Sequence, residues 1–277
     1  MQTLANLKTI VGVAIGAIVL ILGVLAYNVF RTPAEASTPI TAIPLAANPS
    51  NSPSASSSTS AAPESTAPAA STEPTALATA EAASPAAAVT NVPEADASSG
   101  TIVAEIVPNE SEARFIIDEV LNNAPKTVIG TTNQVAGEIA VDPQDPTKTR
   151  VGTIQINART LVTDSEFRDR AIKNRILNTD QYEFVTFTPT QINGLPESGS
   201  VGQSYTFQIV GDLTVRDVTR QVTFDVTATP VSETRLEGTA NTTIRYADWN
   251  ITIPQVRQVA SVSDEVRLEI DFVAVPK

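Results

Sequence analysis

Four cations crowd one short stretch of this chain. Arg168, Arg170, Lys173 and Arg175 fall within eight positions, with Asp169 the one acidic residue among them. Guanidinium and ammonium groups at that density hold phosphate or carboxylate oxygens, and arginine does so through a planar fork. The chemistry on offer is capture of a diphosphate or an anionic lipid headgroup. The competing reading is a solvated helix face balancing a chain of net charge −12. Catalysis has little to work with. Histidine and cysteine are both absent, which removes the commonest proton shuttle, thiol nucleophiles and the usual zinc ligand sets. Asp225, Glu237, Glu269 and Asp271 are candidates for a carboxylate pair, but each falls on the polar, outward parity of its strand. No glycine loop for phosphate is present. The chain reads as a binding protein, not an enzyme, with no cofactor and no metal. Its acidic balance repels phosphate backbones and excludes nucleic acid as a partner.

The cations need a helix, and the sequence supplies start signals for one. Thr163-Asp164-Ser165-Glu166 fits a capping box, with Val162 and Phe167 placed as a hydrophobic staple. The spacing predicts a helix from Asp164 to about Asn174, its apolar stripe (Phe167, Ala171 or Ile172, Ile176) packed on a sheet or closing one end of it.

Almost everything else from Thr101 onward alternates with period two. In Ser204–Thr227, Tyr205, Phe207, Ile209, Leu213 and Val215 share one parity, and Thr206, Gln208, Asp212 and Thr214 the other. After a polar break at Arg216–Arg220, Val222, Phe224 and Val226 alternate with Thr223, Asp225 and Thr227. That is an antiparallel hairpin with one dry and one wet face. Similar alternation marks Ala113–Ile117, Val135–Val141, Val151–Asn157, Phe184–Thr190, Arg235–Tyr246 and Val266–Phe272, while Asn122–Lys126 reads as a loop. The pattern predicts an all-β fold, an antiparallel lipocalin-like barrel of about eight strands with one helix. Its inward positions are Phe115, Ile117, Ile139, Ile154, Ile156, Phe207, Ile209, Leu213, Phe224, Ile244, Leu268 and Phe272. Small residues interrupt them: Gly137, Gly152, Gly211, Gly238 and Ala240. These serve either tight coiling of the strands or an unfilled interior.

The first hundred residues are different. Thr9–Phe30 runs 22 residues without a charge, between Lys8 and Arg31. As a helix it spans about 33 Å, enough for a bilayer core of roughly 30 Å. Residues 1–31 are therefore read as a transmembrane anchor, with a cleaved signal ending near Ala34-Glu35-Ala36 as the alternative. Residues 32–100 are rich in Ala, Ser, Pro and Thr and are expected to be a disordered linker. As a random coil it would average roughly 45–50 Å end to end. Such a stalk places the domain at 101–277 on the extracytoplasmic side of a cell membrane, or outside the cell if the leader is cleaved.

These residues resemble the YceI-like family, barrels of lipocalin-like shape that bind long isoprenoid lipids. Gly211-Asp212-Leu213-Thr214-Val215-Arg216-Asp217-Val218-Thr219 is similar to the family's G-x-L-T-I-R-G-V-T, with Asp217 in place of glycine. Arg168-Asp169 with Ile172 and Asn174 resembles its R-D-x-x-L-x-S helix, and Asp180–Phe187 its D-x-x-x-Y-P-x-I-x-F entry, without the proline. Arg245–Asn250 and Val262–Val266 resemble R-x-D-F-G and V-x-D-x-V. The resemblance covers Thr101 to the C-terminus, although the family's histidines in the first two strands are missing. It implies an isoprenoid or other long-chain lipid among the inward residues, its headgroup beside Arg168, Arg170, Lys173 and Arg175. The alternative is a solid-core β-domain displayed on a stalk for protein contacts.

Overall fold

A computed structural model describes residues 27, 31–37, 39–45, 100–254 and 259–277. The expected span at Thr9–Phe30 lies outside the described residues apart from Tyr27, as does the linker beyond Leu45. Among the described residues no helix is long and apolar enough to cross a membrane.

The strands are β1 Ile102–Ile106, β2 Glu112–Leu121, β3 Ala124–Thr132, β4 Val135–Ala136, β5 Glu138–Val141, β6 Arg150–Val151, β7 Ile154–Asn157, β8 Phe184–Asn193, β9 Tyr205–Val215, β10 Val218–Ser232, β11 Arg235–Arg245, β12 Val259–Val262 and β13 Glu265–Pro276. They form one sheet, and every pairing in it is antiparallel. Its path runs β4-β7-β8-β9-β10-β11-β13-β1-β5-β6, with β2, β3 and β12 branching off β13. β4 and β5 are one stretch of chain divided by Gly137, so the path leaves that stretch on one side and returns to it on the other. The sheet is thus strongly curled, with one face turned inward.

Turn chemistry explains two differences from the sequence reading. Asn122 and Asn123 both take positive φ, 51° and 63°, which is what a two-residue hairpin turn matched to strand twist requires. The expected loop at Asn122–Lys126 shrinks to those two residues, and β3, which alternation alone did not reveal, follows at once. At the tip of the β9–β10 hairpin the polar break likewise narrows to Arg216-Asp217, with Arg216 at φ 59°.

The helix is shorter than expected. α1 spans Glu166–Ala171 and passes into a π turn at Ile172–Ile176. Ser165, not Thr163, is the N-cap, accepting from the Arg168 N–H. Asp169 accepts from the Thr163 backbone N–H and hydroxyl at 2.8 and 2.6 Å, so the side chain that reaches back meets a residue two before the N-cap, and the predicted reciprocal box does not form. Val162 and Phe167 do not staple the helix; both are exposed.

Two of the small inward residues make room for rings. A Cβ on Gly211 would lie 2.6 Å from Phe187 Cζ and from the Thr188 carbonyl oxygen. One on Gly238 would lie 2.5 Å from Phe272 Cζ and 2.6 Å from the Thr227 oxygen. The space these glycines leave is occupied by phenylalanines of neighbouring strands. Gly152 serves another contact, on the outer wall: its missing side chain receives Leu45. Residues 31–45, expected to begin the linker, lie against that wall and belong to the same compact unit as residues 99–277.

Candidate functional site: an apolar cavity at one end of the sheet

The curled sheet encloses an apolar cavity of about 480 Å³, within the usual ~300–1,000 Å³ of small-molecule sites. It occupies one half of the interior. β9 contributes Tyr205, Phe207 and Ile209 to the lining, but not Gly211 or Leu213. β10 contributes Phe224, Val226 and Ala228; β13 contributes Ile270, Phe272 and Ala274. Register explains this: Phe224 pairs with Ile209 and Val226 with Phe207, which stacks their side chains at one height. Beyond them the interior is filled. Leu213, Val135 and Trp249 are each 2 % exposed or less, and the indole Nε1–H donates to the Leu213 carbonyl at 3.1 Å. At the boundary Phe187 meets Phe224 edge to face, centroids 4.9 Å apart at 64°.

The mouth is built by loops. Pro143, Pro146 and Thr149 stand on one side, Leu195–Val201 on another, Ser232–Arg235 on a third. The Tyr205 hydroxyl accepts the Ser200 N–H at 2.6 Å, pinning the middle loop to the top of β9. Glu233 and Arg235 are the charged residues of the lining. Arg235 pairs with Glu110 at 2.8 Å and Glu237 at 2.6 Å. The hydrogen bonds that Arg235 donates to those two carboxylates, Glu237 first, raise its pKa above the ordinary value.

Of the twelve expected interior contacts, the structure brings six together on the cavity: Ile139, Ile154, Phe207, Ile209, Phe224 and Phe272. The others lie elsewhere. Ile156, Leu213, Ile244 and Leu268 belong to the solid half of the core. Ile117 is buried away from the cavity, and the Phe115 ring covers Gly130. Period two assigns a side chain to a face; it does not give its height along the strand. The mouth residues carry no periodic signal, since loops have none.

None of the four cations lines the cavity. β8 pairs with β9 at Thr186–Thr214 near one end and Asn193–Gln208 near the other, so the connection bearing α1 enters at the Val215 end, away from the mouth. The distance from Val215 back to Phe207 is about 26 Å along a strand. There Arg168 pairs with Glu119 at 2.9 Å and also with Asp164, and Arg170 with Glu166 at 3.5 Å. Lys173 is held below its ordinary pKa by burial, against the opposing pull of Asp169. The expected headgroup cluster and the cavity mouth are therefore at opposite ends. Among the described residues no group of three or more acidic side chains is placed to hold a metal.

The sequence matches the profile of the YceI-like domain over residues 105–274. No curated protein matches it. Among solved structures, BcnA of Burkholderia cenocepacia aligns with a TM-score of 0.50 at 16 % identity, covering 61 % of this chain and 99 % of that one. A polyisoprenoid binding domain from Saccharophagus degradans, implicated in plant cell wall breakdown, aligns with a TM-score of 0.49 at 12 % identity, covering 64 % and 99 %. The Campylobacter jejuni YceI protein aligns at 0.44 and 17 % identity, covering 53 % and 84 %.

Proposed function

The chain belongs to the YceI-like family, and on that premise we propose that its curled sheet is a lipid-binding barrel holding one long apolar chain, isoprenoid or acyl. The observation that carries this reading is the cavity of about 480 Å³ walled by Phe187, Phe207, Phe224 and Phe272. A polar ligand would leave its hydrogen-bonding groups unpaired against those rings, at a cost of a few kcal/mol each. A hydrocarbon chain gains about 0.8 kcal/mol per buried methylene. Binding, not catalysis, is the proposed activity.

The headgroup of such a ligand rests at the mouth, beside Arg235 and the backbone of the Leu195–Val201 loop, and not beside α1. We further propose that Thr9–Phe30 anchors the protein and that the barrel works outside the cytoplasm. The uncharged 22-residue run and the Ala/Ser/Pro/Thr-rich segment after it support this.

Organic extraction of the purified full chain, followed by mass spectrometry, tests the lipid reading. One long-chain lipid per protein is expected. If nothing is extracted and added prenyl alcohol does not bind, the reading fails, and a display module on a stalk becomes the better account.

A further inference from the structure

We infer that the outer wall of the domain carries a peptide-binding groove, and that the chain's own residues 31–45 are its ligand. The groove is built from side chains of four separate segments. Arg31 forms an ion pair with Asp180, and its carbonyl oxygen accepts from Asn174 Nδ2 at 2.9 Å. The Ala34 N–H donates to Asp180 Oδ1 at 3.0 Å. The Ser37 N–H and hydroxyl both donate to Glu183 Oε1, at 2.7 and 2.6 Å. Ile40 is 8 % exposed. Leu45 donates its N–H to Glu138 Oε2 at 2.6 Å, and its side chain lies where Gly152 has none, 3.2–3.3 Å from the position a Cβ would take.

The receiving groups are held ready. Arg159 donates to the Thr179 and Asp180 carbonyl oxygens at 2.8 and 2.9 Å and to Glu183 Oε2 at 2.7 Å, and its remaining reach goes to the Glu35 carbonyl at 3.2 Å. Asn157, 1 % exposed, donates to Glu183 Oε1 at 2.9 Å. Glu138 is 2 % exposed although it sits on the outward parity of its strand, because Leu45 and Lys277 cover it. A solvated outer wall has no need of buried carboxylates aimed at a passing backbone. An extended peptide does: its N–H groups are the donors such carboxylates satisfy, and bonds of this charge-assisted kind are the strong ones. The ligand class is therefore an extended, proline-containing segment whose N–H groups donate at about every third position (Ala34, Ser37 and Ile40, then Leu45) with a cation at its start. Pro33, Pro39 and Pro44 restrict the free segment toward extended conformations and lower the entropy lost on docking. Residues 31–45 thus belong to the folded unit, with residues 46–98 lying between them and the rest of it in chain order.

The intact protein tests this. A protease site inserted after Ser71 of the full chain is cut in detergent, and the domain is captured through a tag following Lys277. The N-terminal fragment should stay bound through washing. Ser37→Pro with Leu45→Pro removes donors from the ligand and changes nothing in the domain, and should speed release of the fragment about tenfold or more. Gly152→Ala, which crowds Leu45, should act in the same direction from the groove side. Emission of Trp249, the one tryptophan, reports that the domain stays folded in each variant. Immediate loss of the parent fragment overturns the inference, and so does equal retention by the double-proline variant.

Discussion

The ring of Phe187 stands edge-on to the ring of Phe224, 4.9 Å between centroids, where the open half of the interior meets the solid half. The pair is the floor of the cavity and the ceiling of the packed core at once. Phe224 comes from the middle of the β9–β10 hairpin and Phe187 from β8, so three adjacent strands set the depth to which a ligand can enter.

Phe224→Ala should cost about 3 kcal/mol, the lower end for a buried phenylalanine, because one side of its ring already faces the cavity. Asp225, its neighbour, is exposed and accepts from Gln208 Nε2 at 2.8 Å on the wet face. Asp225→Ala should change stability by about 0.5 kcal/mol or less. Urea titrations of both variants check the difference, and equal effects would mean the strand is out of register.

Filling the cavity should abolish binding without unfolding the protein. Ala228 is 6 % exposed and lines the cavity above Val226. Ala228→Phe places a ring in that space, so bound lipid should fall below detection in extracts while Trp249 emission is unchanged. Replacing Arg168, Arg170, Lys173 and Arg175 together by glutamine should leave lipid content within about twofold, since none of them lines the cavity and their helix enters at the Val215 end, roughly 26 Å along β9 from Phe207. Arg235→Gln should instead alter discrimination between a prenyl diphosphate and its alcohol, measured by competition. If the fourfold variant loses the diphosphate selectively, the headgroup lies at α1 after all.

The hairpin Ser204–Thr227 was readable residue by residue because one face is dry and the other wet over its whole length. That parity correctly put Phe207, Ile209 and Phe224 inside, and it equally put Leu213 inside. It had no means of separating them, because Trp249 fills the interior at the height of Leu213 and leaves it empty at Phe207. The cation cluster misled for a similar reason. Spacing placed four charges on one helix, but which end of the sheet that helix closes is fixed by the β7–β8 connection. The docked segment 31–45 did leave a trace: Ile40, Ile43 and Leu45 fall within six positions, a density of large apolar residues that residues 46–98 never reach. The surrounding Pro, Ser and Thr hid it. The partners of its backbone N–H groups are side chains roughly 90–150 positions away, beyond any local pattern.

The docking of that segment should depend on pH with a definite sign. Glu138 is held below its ordinary value of 4.5 by the Lys277 ammonium, then by the Leu45 N–H. For Glu183 burial pushes upward, but hydrogen bonds from Ser37 and Asn157 and the charge of Arg159 outweigh it, so its pKa is also lowered. A carboxylate whose pKa is lower folded than unfolded contributes fully above the unfolded value and loses its contribution as pH falls through the folded one. Exchange protection of the Ser37 and Leu45 amides, corrected for intrinsic rates, should be flat from pH 7 to about 5 and then decline in the range below about 4.5. Trp249 emission separates release of the segment from unfolding of the domain. Protection that instead declines between pH 7 and 5 would mean that groups other than these carboxylates hold the segment.

The docked segment also bears on how an anchored barrel would be oriented. Arg31 directly follows the proposed span, and its partners Asp180 and Asn174 lie just after α1. If residues 9–30 cross a bilayer, the Val215 end faces the membrane, with Arg168, Arg170, Lys173 and Arg175 toward the headgroups, and the cavity mouth points away. Near an anionic surface a cation without a carboxylate partner adds about 1 kcal/mol; Arg168 and Arg170 are already paired with Glu119, Asp164 and Glu166, so the attraction of the cluster is less than four such contributions. Because the chain has no cysteine, single-cysteine reporters are straightforward. Arg175→Cys and Ser200→Cys, labelled with a fluorophore and reconstituted as full chains into vesicles containing phosphatidylserine and a lipid-borne quencher, report the two ends. The label at 175 should be quenched strongly and the label at 200 weakly, with the contrast reduced in the Ser37→Pro, Leu45→Pro background. Stronger quenching at 200 would show the mouth facing the bilayer, and weak, equal quenching at both would show that the domain is not held against the membrane at all.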